Sequence, residues 1–319
     1  MSLTTIAQIS DPHVGLHADY ADSIDALVQA VAAVDEMNPA PVAVLLTGDL
    51  TYDGNPAEYE AVREILEPLA MPVHPIPGNH DRRENMRLVF GGDGYLPMNG
   101  EFLHYTVEDL PMRLIGLDTV VPGKGHGEMD APRLAWLKAR LDEQPDRPTF
   151  LFMHHPPFPT GLQHMDSINC RNAPAMAAIL KGRENIERVA CGHHHRSIQI
   201  RWAGTIGSVA PSVAHQVVLD LMPHDDATFT MEPPGYHLHL WQPESGTITH
   251  TAFIGSFSGP HPFLLDPEYP AFGDKDAAPA THGATGRHAR LGPPLRPHGL
   301  KPRARSDPPW RQGGAQADR

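Results

Sequence analysis

Cysteine is nearly missing from this chain of 319 residues: Cys170 and Cys191 are the only two. Two are too few for a disulfide framework at this length, and neither has the spacing of a thiolate metal site, so a reduced compartment is the simpler expectation. Cys191 ends an apolar run and reads as a small core residue. Long hydrophobic runs are missing as well, since no stretch approaches the roughly 20 apolar residues a membrane span requires. No membrane partner is expected. Met1 to Thr5 leads straight into a strand-like segment without the basic start, apolar stretch and small-residue cleavage site of a secretory signal, so the expected location is cytoplasmic. Basic charge is scarce too: 25 Lys and Arg face 38 Asp and Glu, for a net charge of −13. Eight Lys or Arg against two Asp or Glu lie in residues 281–319, which leaves residues 1–280 at −19. An acidic body repels nucleic-acid backbones, and no polymeric nucleic acid is expected as a partner.

What is present is an alternation of strand-like and helix-like segments over the first two-thirds of the chain, the pattern of an α/β layered architecture. Short apolar runs at Thr5–Ile9, Val42–Leu46, Val73–Ile76, Phe150–Met153 and Val189–Cys191 read as strands. Ile24, Leu27, Val28, Val31 and Val34 recur at helical spacing and form one apolar stripe. A second helix has Asn55 as N-cap, Pro56 at its first position and Glu58 three residues on, followed by Val62, Ile65, Leu66 and Leu69. A third is expected near Asp130, burying Leu134, Leu137 and Leu141.

Beyond Gly192 the signals are strands: Ile198–Trp202, Thr205–Val209, Tyr236–Trp241 and Ile248–Ile254. Strands following alternating units predict a second sheet on the first, giving an α/β fold in which a β-sandwich of two mixed sheets is flanked by helices. Residues 1–256 are expected to form this domain and residues 257–274 a C-terminal extension. Residues 275–319 are rich in Pro, Gly, Ala and Arg and bury too little to offset the entropy of ordering, so a disordered basic tail is expected.

Each of the five alternating strands is followed by a short polar motif: Asp11-Pro12-His13, Gly48-Asp49, Gly78-Asn79-His80-Asp81, His154-His155 and Gly192-His193-His194-His195. Residues at strand ends converge on one edge of a sheet. Taken singly, Asp-x-His or Gly-Asp is the mark of a turn or a helix cap. The ordered set of five points instead to a ligand shell. Phosphoester hydrolysis at neutral pH needs a nucleophile and compensation for charge on the phosphate oxygens, and two divalent ions about 3.5–4 Å apart supply both. Asp11 and His13, two apart in an extended segment, face the same side and can grip one ion. Asp49 is the candidate shared carboxylate, because it ends a buried-looking strand and follows Gly48, which permits close backbone approach. Carboxylate, amide and imidazole donors without thiolate suit Mn²⁺, Fe²⁺ or Zn²⁺, with Asn79 as a weak, neutral ligand.

This ordered set resembles the calcineurin-like metallophosphoesterase superfamily. The resemblance implies two divalent metal ions per chain, with Asp11, His13, Asp49 and His195 about the first and Asp49, Asn79, His154 and His193 about the second. It also implies that hydroxide bridging the ions attacks phosphorus in line. His80 becomes the group that orients substrate and stabilises or protonates the leaving alkoxide, and Asp81 is expected to orient His80. His155 and His194 fall on the wrong phase and read as neighbours, although the family often has Asn where His194 stands. Gly-Asp-x-x-Tyr also occurs in purple acid phosphatases, where the Tyr ligates ferric iron and the His of the first motif is lacking. His13 is present here, and Tyr52 reads as a packing or pocket residue.

Further segments narrow the resemblance: Met153-His154-His155-Pro156-Pro157-Phe158, Cys191-Gly192-His193, Pro211–Gln216 and Glu232–Tyr236. They are similar to the class III cyclic nucleotide phosphodiesterase and glycerophosphodiesterase branch, over roughly Thr5 to Ser256. That branch implies hydrolysis of small phosphodiesters such as 3′,5′-cyclic AMP or glycerophosphodiesters. It puts Asn79, His80 and His215 on the substrate side and implies homo-oligomers whose interface can include Met231–Tyr236. A diester carries one negative charge and needs fewer basic clamps than a monoester. Only Arg82, Arg83 and Arg196 adjoin the motifs, which favours diesters. Two other functions stay open: a phosphomonoesterase of the protein-phosphatase or purple-acid type and, from another class, a scaffold that keeps the fold without catalysis.

Overall fold

The computed structural model describes residues 3–18, 21–222 and 228–259. The expected C-terminal extension beyond Gly259 and the whole of the expected tail lie outside the described residues. The first half of the chain forms β1 (Thr4–Ile9), β2 (His17–Ala18), β3 (Ala21–Asp22), α1 (Ser23–Asp35), β4 (Ala43–Thr47), α2 (Pro56–Leu66), β5 (Val73–Ile76), α3 (Arg83–Phe90), β6 (Tyr105–Val107), β7 (Arg113–Leu117), α4 (Ala131–Glu143) and β8 (Thr149–Met153). There follow α5 (Gln163–Ser167), α6 (Ala173–Leu180), β9 (Ile186–Cys191), β10 (Ile198–Trp202), β11 (Thr205–Val209), β12 (Gln216–Val217), β13 (Phe229–Thr230), β14 (Gly235–Gln242) and β15 (Gly246–Phe253).

One large sheet has the order β15-β14-β1-β4-β5 and the other β10-β11-β9-β8-β7-β6. Both are mixed. In the first, β1, β4 and β5 are parallel and β14 runs antiparallel to β1. In the second, β7, β8, β9 and β11 are parallel, while β6 and β10 pair antiparallel at the edges. These are the two mixed sheets flanked by helices that the sequence pattern anticipates.

β8 shows how the layers are built. Phe150 and Phe152 join the core shared with β1 and β4, whereas Leu151 and Met153 pack with Leu137 and Leu141 of α4 and Met176 and Leu180 of α6. Both faces are covered, so the strand is a continuous apolar run rather than an alternating one. Burying each such side chain contributes about 1.5–3 kcal/mol. The helices that cover the sheets start where their caps are. Asp130 Oδ1 accepts from Arg133 N at 3.1 Å at the head of α4, and Glu58 Oε2 accepts from Asn55 N at 3.0 Å at the head of α2.

One expected stripe residue departs from the pattern. Val28 is 45% exposed, and Ala30 takes the place on the buried face of α1 beside Leu27, Val31 and Val34. Those four stand at i, i+3, i+4 and i+7, and Val28, about 100° round the helix from Leu27, points away. α3, β6 and β7 are additions to the expected elements. Among the described residues no helix is long and apolar enough to cross a membrane.

Candidate metal centre

The loops that leave β1, β4 and β9 are forced into unusual backbone shapes. Asp11 (φ 53°), His13 (48°), Asp49 (49°), His193 (72°) and His195 (49°) all have left-handed backbone. For non-glycine residues this costs on the order of 1–3 kcal/mol each, and it persists only where surroundings dictate it. Asp11 N donates to Gly48 O at 3.2 Å, His13 N to Asp49 O at 3.0 Å and Val14 N to Leu50 O at 3.0 Å, which zips the loop after β1 onto the loop after β4. His193 N, arriving from the other sheet, donates to the Asp11 carboxylate at 3.1 Å. The loops also approach too closely for side chains at two glycines. A Cβ on Gly48 would stand 2.3 Å from His154 Nδ1, and one on Gly78 would stand 2.2 Å from Asp49 Oδ1.

All seven residues expected as ligands meet here. His195 Nε2 lies 3.3 Å from Asp11 Oδ1 and 3.2 Å from His13 Nε2, and His13 Nε2 is 3.7 Å from Asp49 Oδ2. On the other side of Asp49, His154 Nε2 is 3.3 Å from Asp49 Oδ2 and 3.2 Å from Asn79 Oδ1. His193 offers a ring nitrogen within 4.8 Å of those of His154 and His155. Hydrogen bonds set the tautomers: His154 Nδ1–H donates to Thr47 O at 2.9 Å and His195 Nδ1–H to His215 O at 2.9 Å. Each Nε2 lone pair is thereby left facing the carboxylates.

The electrostatics fit cations. Asp11 and Asp49 are 0% and 2% exposed, and among the described residues neither pairs with Lys or Arg; the charged groups they can pair with are imidazoles. Burial alone would raise the Asp49 carboxyl, but His154 and His13 hold it well below the usual carboxylate range. Burial opposes charge on His154, yet Asp49 and Asp11 outweigh it and push that imidazole up to about 9. Burial keeps His13 and His193 well below the usual histidine range. Their atoms His13 Nδ1 and His193 Nε2 are buried without a hydrogen bond among the described residues. Two buried carboxylates stand among imidazoles, of which His13 and His193 are held neutral while His154 and His195 take up protons that a metal ion would displace, an oxygen and nitrogen donor set that divalent cations complete.

Residues 4–197 match the calcineurin-like phosphoesterase family. The chain belongs to that family. It is 39% identical over 263 residues to a probable glycerophosphodiester phosphodiesterase, GpdQ, of Arcobacter nitrofigilis, a match covering 81% of this chain and 96% of that protein. It is 33% identical over 219 residues to a probable cyclic nucleotide phosphodiesterase of Rhodopseudomonas palustris, covering 67% of this chain and 79% of the relative. Among solved structures a dimetal phosphatase from Danio rerio superposes with a TM-score of 0.55 at 17% identity, over 79% of this chain and 99% of that one. That likeness is one of fold.

Some residues of this phosphoesterase stand otherwise than expected. Asp81 does not orient His80. Its carboxylate accepts from Leu50 N (3.1 Å), Thr51 Oγ1 (3.1 Å), Tyr59 OH (2.9 Å) and Gly78 N (2.8 Å), so it faces back into the fold and clamps the third motif onto the second. The His80 ring is fixed instead by donating Nδ1–H to Tyr52 O at 2.7 Å, and His80 N donates to Asp49 Oδ1 at 2.9 Å. His155, expected as a bystander, belongs to the imidazole cluster: its ring centroid is 4.7 Å from those of both His154 and His193, and Thr119 Oγ1 is 2.8 Å from its Nδ1. Both nitrogens of His194 are taken, Nδ1 by Thr160 Oγ1 at 3.0 Å and Nε2 by Asn169 Oδ1 at 2.8 Å. Tyr52 is 40% exposed and stacks on the His80 ring at 5.4 Å. The His215 ring stands 4.7 Å from His195 and 5.4 Å from His13, at the rim of the first ligand group.

Proposed function

We propose that this chain hydrolyses small phosphodiesters, with Asp11, His13, Asp49 and His195 holding one divalent ion and Asp49, Asn79, His154 and His193 a second. It is a phosphoric diester hydrolase of the metallophosphoesterase kind, in keeping with its relatives' names. One observation carries the ligand assignment: two buried carboxylates face imidazole nitrogens with no Lys or Arg between them. When bound, the two ions neutralise charge on the phosphate oxygens and generate a nucleophile near neutral pH. Mn²⁺, Fe²⁺ or Zn²⁺ suits the donor set.

The protein's own groups do the rest. Asn79 and His80 face the substrate from the third motif and His215 from the rim. With its Nδ1–H held by Tyr52 O, His80 carries a second proton on Nε2 when charged and passes it to the departing alkoxide. Arg83 is committed to Asp118 at 2.5 Å and 2.8 Å, and Arg196 to Glu232 at 2.9 Å, so neither serves as a clamp for a doubly charged monoester. Of the three cations beside the motifs only the exposed Arg82 remains, and one cation suits singly charged diesters, 3′,5′-cyclic nucleotides or glycerophosphodiesters. A cytoplasmic setting suits two buried, free cysteines. Assembly into homo-oligomers through Met231–Tyr236 belongs to the same proposal, and light scattering tests it.

The deciding experiment pairs activity with metal content. Hydrolysis of bis(p-nitrophenyl) phosphate should vanish with EDTA and return with Mn²⁺, and Asp49→Ala should lose both ions and several orders of magnitude in turnover. Equal metal content in wild type and Asp49→Ala would refute the shared ligand. A kcat/KM panel of cyclic AMP, cyclic GMP, 2′,3′-cyclic nucleotides, glycerophosphocholine and a monoester then ranks the substrates, and preference for the monoester would overturn the diester reading.

A further inference from the structure

Between the two sheets lies an arginine that makes no ion pair within 4 Å among the described residues, its charge favoured only at longer range by the adjacent Glu187. Arg188 on β9 is 2% exposed, and its Nε and Nη1 are buried without a hydrogen bond among the described residues. The adjacent Glu187 is engaged elsewhere, accepting from Trp241 Nε1 at 2.9 Å and Thr247 Oγ1 at 3.1 Å. Ser208 Oγ and His237 Nδ1 are likewise buried without a hydrogen bond among the described residues.

Strand register turns these residues toward the space between the sheets. Arg188 and Ala190 share a face of β9, Ser208 is the register partner of Ala190 on β11, and Ala190 belongs to the core between the sheets. Phe150, the register partner of Arg188 on β8, packs its ring 4.8 Å from that of His239 on β14, and His237 stands two residues away on the same face with its ring 5.8 Å from His239. Burial, joined by the Arg188 charge, holds His237 down at about 4, which fits close approach of the two.

The unpaired atoms are also alike in kind. Ser197 Oγ is 2.9 Å from Thr251 Oγ1 and 3.0 Å from His237 Nε2. These bonds can run either way, and in the direction from Thr251 to Ser197 to His237 Nε2 the His237 proton sits on Nδ1. In that direction the group presents guanidinium N–H, a hydroxyl and an imidazole N–H, each able to donate. Water could accept these bonds, but it would leave the guanidinium charge buried without an anion in contact. An anion satisfies the bonds and the charge together.

We propose that Arg188, Ser208 and His237 form a buried site for one small inorganic monoanion, of the size of chloride, that fastens β9 to β14. One guanidinium matches one negative charge. Because β9 leads directly into Gly192 and the fifth motif, occupancy would steady the scaffold behind the metal ligands without touching substrate.

Thermal unfolding of the full chain tests this, in gluconate buffer with Mn²⁺ supplied as gluconate and chloride or bromide added at constant ionic strength. Saturable binding should raise Tm on the order of 2–8 °C in the wild type, and a bromide-soaked crystal should give an anomalous peak beside Arg188. Arg188→Met should lose the saturable rise. Ser208→Ala keeps the charge and removes one donor, and it should move the chloride midpoint up by about tenfold. The proposal fails if wild-type Tm is the same in gluconate and chloride, if bromide binds only at the surface, if the Ser208→Ala midpoint is unmoved, or if Arg188→Met shows the wild-type rise.

Discussion

The imidazole of His154 is aimed by the carbonyl of Thr47: an Nδ1–H···O bond of 2.9 Å runs from the end of β8 in one sheet to the end of β4 in the other. The bond sets Nε2 toward Asp49 and Asn79. His154→Ala should therefore drop bound metal from two ions per chain to one, because the first group does not use His154, and should lower turnover by more than about 100-fold. Elemental analysis beside the kinetics checks it; a variant still holding two ions would move His154 out of the ligand set.

Gly78 is where the third motif passes over the second. An added methyl would meet Asp49 Oδ1 at 2.2 Å and Asp49 N at 2.4 Å, and the backbone nitrogen cannot swing aside. Gly78→Ala should weaken metal binding by about 10–100-fold through a displaced Asp49. Gly92→Ala, where a Cβ meets nothing within 4 Å, is the matched control and should behave as wild type. Calorimetric Mn²⁺ titration separates the two.

The stack of Tyr52 on His80 separates two roles of one rim. His80→Ala should keep both ions and lose about 10²–10⁴ in kcat, the usual worth of a positioned proton donor. Tyr52→Ala should raise KM with metal content unchanged, and Tyr52→Phe should be nearly silent in a colourless protein. A visible band that Tyr52→Phe removes would mean tyrosinate on ferric iron and would restore the purple-acid reading.

Acid should weaken the fold through a histidine outside the proposed ligand set. His104 Nδ1 accepts from Asp118 N at 2.9 Å, and burial pulls its pKa from 6.5 to about 4. Between those values the unfolded chain binds a proton that the folded chain refuses, so this stability is complete above about 6.5 and is lost as pH falls toward 4. The loss over the window is on the order of 3 kcal/mol. Urea midpoints at pH 7.5 and 5 should fall further for wild type than for His104→Gln, with His237 supplying part of the remaining slope. Identical falls would show that His104 titrates normally.

The five motifs were legible because each needs only two local facts, an apolar strand and a polar turn after it, and parallel strands deliver their ends to one place. The direction of a side chain inside such a turn is not a local fact. Asp81 follows His80 in sequence, but four donors from the second motif, α2 and its own turn draw its carboxylate away. His155 was hidden for a related reason: two-residue alternation stops with β8 at Met153, and in the turn beyond it neighbouring rings can share a side. Arg188 gave no local signal at all, since what faces it comes from β11 and β14, in part from the other sheet.

The left-handed backbone at Asp11, His13, Asp49, His193 and His195 sets this enzyme's durability against its usefulness. Glycine at any of these positions would relax the chain locally while deleting a side chain of the proposed metal centre. A selection for heat resistance alone would accordingly favour inert descendants, and any effort to toughen the enzyme has to score catalysis and melting in the same round.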